Sequence, residues 1–425
     1  MRFLSSCPAE LNDVSSVDGR VGVFSLVCVA VALGFAAGCE RAAPLEWKDT
    51  KAMGEMSEEH RELAREILVE YSGNAANPRV LAEVVAEKRA AAEAEEAAAG
   101  EDAAEAEPAE EGQEEPVEDA GPPSLTREQF VRLQQLKHGQ QVYTRRCVQC
   151  HGESGGGDGP AADMLYPRPR DYTAGTFKFT STPYDYRPLR SDLVDTVRRG
   201  IRGTSMPSFS LLPDEDIEAV IDYVIVLTQR GELSSQVAEE AAFLEDDFKQ
   251  VEDMDHFAMA ELVSDRWEEA SHSLTQPLTP EPELTREHVE RGRQAFLTKG
   301  CNKCHGDDGR GHTPFRMPND VWGYPTRAAD LTSGMLRGGQ RPIDVYRRIL
   351  NGINGTPMPG FVNALRDEPD TIWDLVGYVL YVSNRRRAQN EISAGLMKPF
   401  EYVAGTEEAD AEGASGNEEP ADGAE

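Results

Sequence analysis

Two short stretches hold most of the reactive side chains in this sequence: Cys147-Val148-Gln149-Cys150-His151 and Cys301-Asn302-Lys303-Cys304-His305. Both read C-x-x-C-H, the attachment sequence of haem c. The spacing suits the chemistry. Two thiols add across the two vinyl groups of a porphyrin, and the histidine that follows directly is carried under the iron as its proximal ligand. With 7 Cys and 8 His in 425 residues, chance would produce one such motif on the order of 0.002 times per chain. A structural zinc site needs four ligands converging, and the two motifs stand in separate blocks more than 150 residues apart. A redox disulfide would not need the histidine. The reading is two covalently bound haem c groups, held by Cys147, Cys150 and His151 and by Cys301, Cys304 and His305.

Each motif is followed by a second matched segment. Gly200-Ile-Arg-Gly-Thr-Ser-Met206-Pro-Ser-Phe209 lies behind the first and Gly352-Ile-Asn-Gly-Thr-Pro-Met358-Pro-Gly-Phe361 behind the second. The methionines stand 55 and 53 residues after their histidines. A thioether is a soft, neutral ligand, and His/Met ligation favours Fe(II) and raises the potential. Pro207 and Pro359 stiffen the loops that present the sulfur. Met206 and Met358 are therefore the candidate sixth ligands; Met164, Met317 and Met335 share no matched surroundings. Pro160 and Pro314 each lie nine residues after a motif histidine, so a backbone carbonyl there is a candidate acceptor for the histidine Nδ1 hydrogen. Arg168 and Arg327, in Tyr166-Pro167-Arg168 and Tyr324-Pro325-Thr326-Arg327, are candidates to pair with haem propionates.

Helices must frame these residues. Before the first motif, Thr126 and Gln129 fit a capping box, followed by Phe130, Leu133 and Val142. Before the second, Thr285 caps a helix bearing Val289, Gly292 and Phe296. After the methionines, Ile217, Val220, Ile221, Val224 and Leu227 form one apolar stripe, and Ile372, Leu375, Val376, Val379 and Val382 form another. A glycine lies four residues before an aromatic in each leading helix: Gly139/Tyr143 and Gly292/Phe296. This predicts a close crossing, with Tyr223 and Tyr378 as the aromatic partners on the closing helices.

The order helix, C-x-x-C-H, loops, Met-Pro, helix resembles the class I cytochrome c domain, and it occurs twice, over about residues 126–230 and 285–390. The resemblance implies a mainly α fold of two tandem cytochrome c-like helical domains with acidic, partly disordered connectors. It also implies one-electron transfer, with iron cycling between Fe(III) and Fe(II). The partners it implies are a quinol-oxidising complex or periplasmic dehydrogenase on one side and a terminal oxidase or other acceptor on the other. Filled axial positions leave no substrate site, so the expectation is a carrier and not an enzyme. The alternative is a dihaem peroxidase-type enzyme, which needs one open or labile iron, or the haem subunit of a periplasmic dehydrogenase.

The net charge of −33 excludes nucleic-acid binding, because anionic surface repels phosphate. The charge is unevenly placed: −17 over residues 1–123, +1 over 124–230, −13 over 231–283, +5 over 284–390 and −9 over 391–425. This pattern predicts folded blocks joined by solvated segments. Residues 1–39 contain an uncharged run, 21–38, closed by Ala36-Ala37-Gly38-Cys39, which resembles a lipoprotein signal with Cys39 as the lipidated residue. An uncleaved membrane anchor is the other reading. Both tether the chain on the periplasmic side of the cell membrane. Residues 40–89 are expected to hold one amphipathic helix, over 57–71. The Ala/Glu/Pro-rich stretch 90–124 is expected to be a disordered linker. The first haem domain is expected at 125–230 and the second at 284–390, with an acidic helical connector at 231–283 and a disordered acidic tail at 391–425. On the connector, Phe248 and Trp267 predict helices resting on a neighbouring domain, while the acidic tether is expected to let the haem domains swing.

Overall fold

The computed structural model describes residues 46–102 and 125–384, all within one compact unit. The predicted leader, Cys39 and the tail after residue 384 lie outside the described residues. Among the described residues no helix is long and apolar enough to cross a membrane.

The chain is mainly helical. Helix α1 is Glu58–Ser72, its N-terminus capped by the Ser57 side chain. A two-residue hairpin, β1 Gly73–Asn74 against β2 Asn77–Pro78, pairs antiparallel with Gly73 opposite Pro78 and leads to α2, Leu81–Asp102. Helix α2 therefore overruns the point, Ala90, where the composition predicts disorder. The alanines and glutamates that dominate this stretch are strong helix formers, and Leu81, Val84 and Val85 anchor the helix's first turns in a core. Residues 103–124 lie outside the described residues.

The first motif block opens with α3, Arg127–Arg146, started by the predicted Thr126/Gln129 capping box. A single turn α4, Val148–His151, carries the motif. Helix α5, Arg190–Arg199, precedes the Met206 segment, and α6, Asp214–Leu244, follows it. Helix α7 is His256–Ser271. The second block repeats the plan: α8, Arg286–Thr298; the single turn α9, Asn302–His305; α10, Pro342–Asn351; and α11, Asp370–Asn384.

The leading and closing helices cross at glycine, as the sequence predicts. A Cβ at Gly139 would fall 2.0 Å from the Ala219 carbonyl oxygen, and one at Gly292 would fall 1.9 Å from that of Asp374. Tyr143 meets Tyr223 with ring centroids 5.4 Å apart, and Phe296 meets Tyr378 at 5.1 Å.

Helix α6 does not stop at residue 230. It runs on for four more turns, because nothing breaks it and both ends have something to bury. Its first half packs in the first block through Val220, Tyr223 and Leu227. Its second half gives Leu233, Val237 and Ala241 to a separate core with Ile67, Leu68 and Tyr71 of α1, Leu81 and Val84 of α2, and Ala260 and Val263 of α7. Phe248 is fully buried in this core and Trp267 packs against it. The N-terminal segment and the acidic connector, read from sequence as separate pieces, thus build one helical bundle together. Gly231 lies where α6 leaves the first block, and a Cβ there would meet Thr173 at 2.4 Å.

The two motif blocks touch. Asn351 Nδ2 donates to the Thr182 carbonyl at 2.8 Å, and the Asp185 N–H donates to Asn354 Oδ1 at 3.0 Å. The connector folds as helix, as its apolar spacing predicts, but the blocks meet directly, which differs from the expected swing of the haem domains.

Candidate haem sites

Each C-x-x-C-H is wound into one helical turn. The His151 N–H donates to the Cys147 carbonyl at 2.9 Å, and the His305 N–H to the Cys301 carbonyl at 3.0 Å. Residues three and four apart share a helix face, so one turn presents both sulfurs and the imidazole together. The turn ends at Gly152 (φ +76°) in the first block and Gly306 (φ +75°) in the second. The chain then folds back, with Gly157 N–H donating to the His151 carbonyl at 3.0 Å and Gly311 N–H to that of His305 at 2.6 Å. All four motif cysteines are half-buried, and none of them is in a disulfide. Burial pushes the Cys147 thiol up to about 12 and the Cys301 thiol up to about 11. Burial also pushes His151 down to about 4 and lowers His305. In both rings burial favours the neutral form, which is the form that binds a metal.

The Nδ1 side of each ring faces backbone, but not at the expected prolines. His305 Nδ1 lies 3.2 Å from the Ala329 carbonyl oxygen. His151 Nδ1 is buried without a hydrogen bond of ordinary geometry; the Arg170 carbonyl lies near enough to oppose part of the burial effect on that ring. Pro160 and Pro314 are exposed. The reason lies in the next few residues. Asp171-Tyr172-Thr173 follows Arg170 and Asp330-Leu331-Thr332 follows Ala329. In each, the Thr N–H and hydroxyl both donate to the Asp Oδ1, at 2.8 and 2.6 Å in the first and 2.9 and 2.6 Å in the second. This turn fixes the carbonyl that faces the histidine. The repeated D-x-T was visible in the sequence as the signal for it.

The methionine segments match bond for bond. In the first, Ile201 N–H donates to the Met206 carbonyl at 3.1 Å, Thr204 Oγ1 donates to the Ile201 carbonyl at 2.7 Å, and Met206 N–H donates to Thr204 Oγ1 at 3.1 Å. In the second, Ile353, Met358 and Thr356 repeat these bonds at 3.2, 2.8 and 3.3 Å. Phe209 and Phe361 N–H groups donate back to α5 and α10 at 3.1 Å each. The loops begin at Gly200 (φ +67°) and Gly352 (φ +79°), where the backbone packs too closely for a Cβ. Met206 and Met358 are half-buried.

The arginines divide. Arg168 is exposed and pairs with Asp163 at 2.7 Å, and Arg327 is exposed as well. Arg170, two residues on, is the half-buried one. It pairs with the buried Asp320 at 3.1 Å, and its Nη1 is buried without a hydrogen-bond partner.

The first site also carries a tyrosine chain. Tyr172 OH donates to Tyr143 OH at 2.8 Å, and Tyr143 OH donates to the Gly152 carbonyl at 2.8 Å. The Tyr172 ring lies 5.6 Å from His151. The second site has Phe296 and Leu331 at these positions, with Phe296 6.3 Å from His305. Two cysteine sulfurs beside an imidazole, backed by aromatic and aliphatic walls, form a donor set that fits haem c in both blocks.

Comparisons with known proteins agree. Residues 134–224 match the family model described as "Cytochrome C oxidase, cbb3-type, subunit III", and residues 289–383 match the cytochrome c model. The chain is 30% identical to cytochrome c6 of Cyanidium caldarium over 107 residues, 25% of this chain and 84% of that protein. It is also 30% identical to cytochrome c6 of Cyanidioschyzon merolae over 103 residues, 24% of this chain and 85% of that protein. Among solved structures, a chain of the Kuenenia stuttgartiensis reducing HAO-like protein complex Kustc0457/Kustc0458 aligns at 30% identity over 58% of this chain and 96% of its own length, with a TM-score of 0.43. The chain belongs to the cytochrome c family, with two cytochrome c domains in tandem.

Proposed function

We propose that this protein is a dihaem one-electron carrier, its irons ligated by His151 and Met206 in the first domain and by His305 and Met358 in the second. Cys147 and Cys150 hold the first haem by thioether bonds, and Cys301 and Cys304 hold the second. The observation that carries this reading is the repetition of the methionine loop, hydrogen bond by hydrogen bond, behind each C-x-x-C-H turn. A loop kept only for packing has no need to present the same thioether from the same backbone twice. Haem supplies the one-electron couple. The chain holds it, shields it and sets its potential through ligand type and burial.

Export is part of the proposal, since haem c attachment and the apolar run at 21–38 both point out of the cytoplasm. The tether is lipidated Cys39 or an uncleaved anchor, on the periplasmic side of the cell membrane. The partners are then a quinol-oxidising complex or periplasmic dehydrogenase as donor and a terminal oxidase as acceptor. Reductive titration of the full chain should take up two electrons per molecule, one per haem, without turnover of hydrogen peroxide. A high-spin haem, or peroxide consumption at enzymatic rates, would replace the carrier by a peroxidase-type enzyme.

A further inference from the structure

Trp322 stands between the two domains. It lies in the second domain, on a loop closed by Asp320 N–H donating to the Tyr324 carbonyl at 2.9 Å and by Tyr324 N–H donating to Asp320 Oδ1 at 3.0 Å. Its indole N–H crosses to the first domain and donates to the Asp171 carbonyl at 2.5 Å. Asp171 follows Arg170, whose carbonyl faces His151. Its ring packs on Gly355, three residues before Met358. A Cβ there would fall 2.7 Å from the ring, and Gly355 has φ +68°, so a side chain is excluded twice. The neighbouring Val321 N–H donates to the Gly355 carbonyl at 3.1 Å. One side chain therefore joins the histidine side of one site to the methionine loop of the other.

The surroundings hold it there. Arg170 and Lys178 of the first domain lie over the Trp322 ring, 5.3 and 4.9 Å from its centroid. Both also pair with Asp320 Oδ2, at 3.1 and 3.2 Å, and the Asp320 side chain is fully buried. Two cations from one domain thus enclose a carboxylate and an indole from the other. Removing one partner of such a buried cluster leaves an uncompensated charge, which makes the contact hard to open. Two residues before the matched Tyr-Pro pair, the first domain has Met164, 80% exposed, where the second has Trp322.

We propose that Trp322 fixes the two haem sites against each other and forms the path by which they exchange electrons within one molecule. The step moves one electron from the reduced site to the oxidised site; no bond forms or breaks and no proton transfers. The path runs from His151 across a short gap to the nearby Arg170–Asp171 backbone, through the indole hydrogen bond to Trp322, and then across Gly355 to Met358. Trp322 acts by position, since it neither ligates nor reacts. This inference rests on the reading of both domains as haem sites.

The test uses the full chain in detergent with Met206→His, which makes the first haem spectrally distinct. If Met206→His leaves the spectrum unchanged, the ligand reading fails and not the link. In that background, pulsed one-electron reduction gives the rate at which the electron redistributes between haems. The rate should be independent of protein concentration, and Trp322→Ala should slow it at least about tenfold, as small displacements do for position-sensitive steps, while haem content stays at two. If the alanine variant loses haem, Trp322→Phe decides, since it keeps a ring on Gly355 but not the indole N–H; slowing of about threefold or more supports the path. An unchanged rate in the variant that retains both haems, or a wild-type rate proportional to protein concentration, overturns the proposal.

Discussion

At the residue scale, ligand identity is the sharpest claim. Met206→Ala should remove the near-infrared sulfur-to-iron charge-transfer band of the first haem and lower its potential, with the second haem unchanged; Met358→Ala should do the reverse. Optical potentiometry of each variant checks this, and an unshifted wave would remove that methionine from the ligand set. Cys301→Ser with Cys304→Ser should halve the haem content in a pyridine haemochrome assay. The motif residues were legible because covalent attachment dictates spacing. The acceptors for the histidine rings were not, because nine residues of separation in sequence says nothing about which carbonyl the loop turns inward. The Asp171/Thr173 and Asp330/Thr332 turns decide that, and they place Arg170 and Ala329 at the rings while Pro160 and Pro314 stay in solvent. Arg170 was not singled out beside Arg168 for a similar reason: two arginines two residues apart look equivalent in sequence, and only the folded chain pairs Arg170 with the buried Asp320 while Arg168 pairs with Asp163 at the surface.

Among elements, the crossing of leading and closing helices is fixed by two glycines. Gly139→Ala sets a Cβ against the Ala219 carbonyl at 2.0 Å, and such overpacking costs about 1–3 kcal/mol; the midpoint of chemical unfolding should fall accordingly. A midpoint equal to wild type would show that α3 and α6 do not cross there. Helical periodicity and capping residues made these helices readable. They did not reveal that α6 continues to Leu244, since its second stripe was assigned to a connector and its partners, α1 and α2, lie more than 130 residues upstream. Phe248, fully buried in that motif-free core, tests the bundle. Truncating such a side chain costs about 3–5 kcal/mol, so Phe248→Ala should lower the unfolding midpoint while both haem spectra persist.

For the whole molecule, the −33 net charge hides two haem domains that are near neutral and mildly basic, and an acidic helical bundle beside them. The sequence separated these blocks by charge, yet it suggested haem domains free to swing where the structure has direct contacts between them. Long-range pairs such as Trp322 with Asp171, or Asn351 with Thr182, leave no periodic or local signal and are seen only once the chain is folded. The central claim is a pair of His/Met-ligated haems in one chain. Near-infrared magnetic circular dichroism of the ferric full-length protein, scaled to haem content, tests it most directly. Two low-spin haems per chain, each with the methionine-ligation band, is the predicted result. A high-spin haem, or a band intensity accounting for only one of the two, would contradict it.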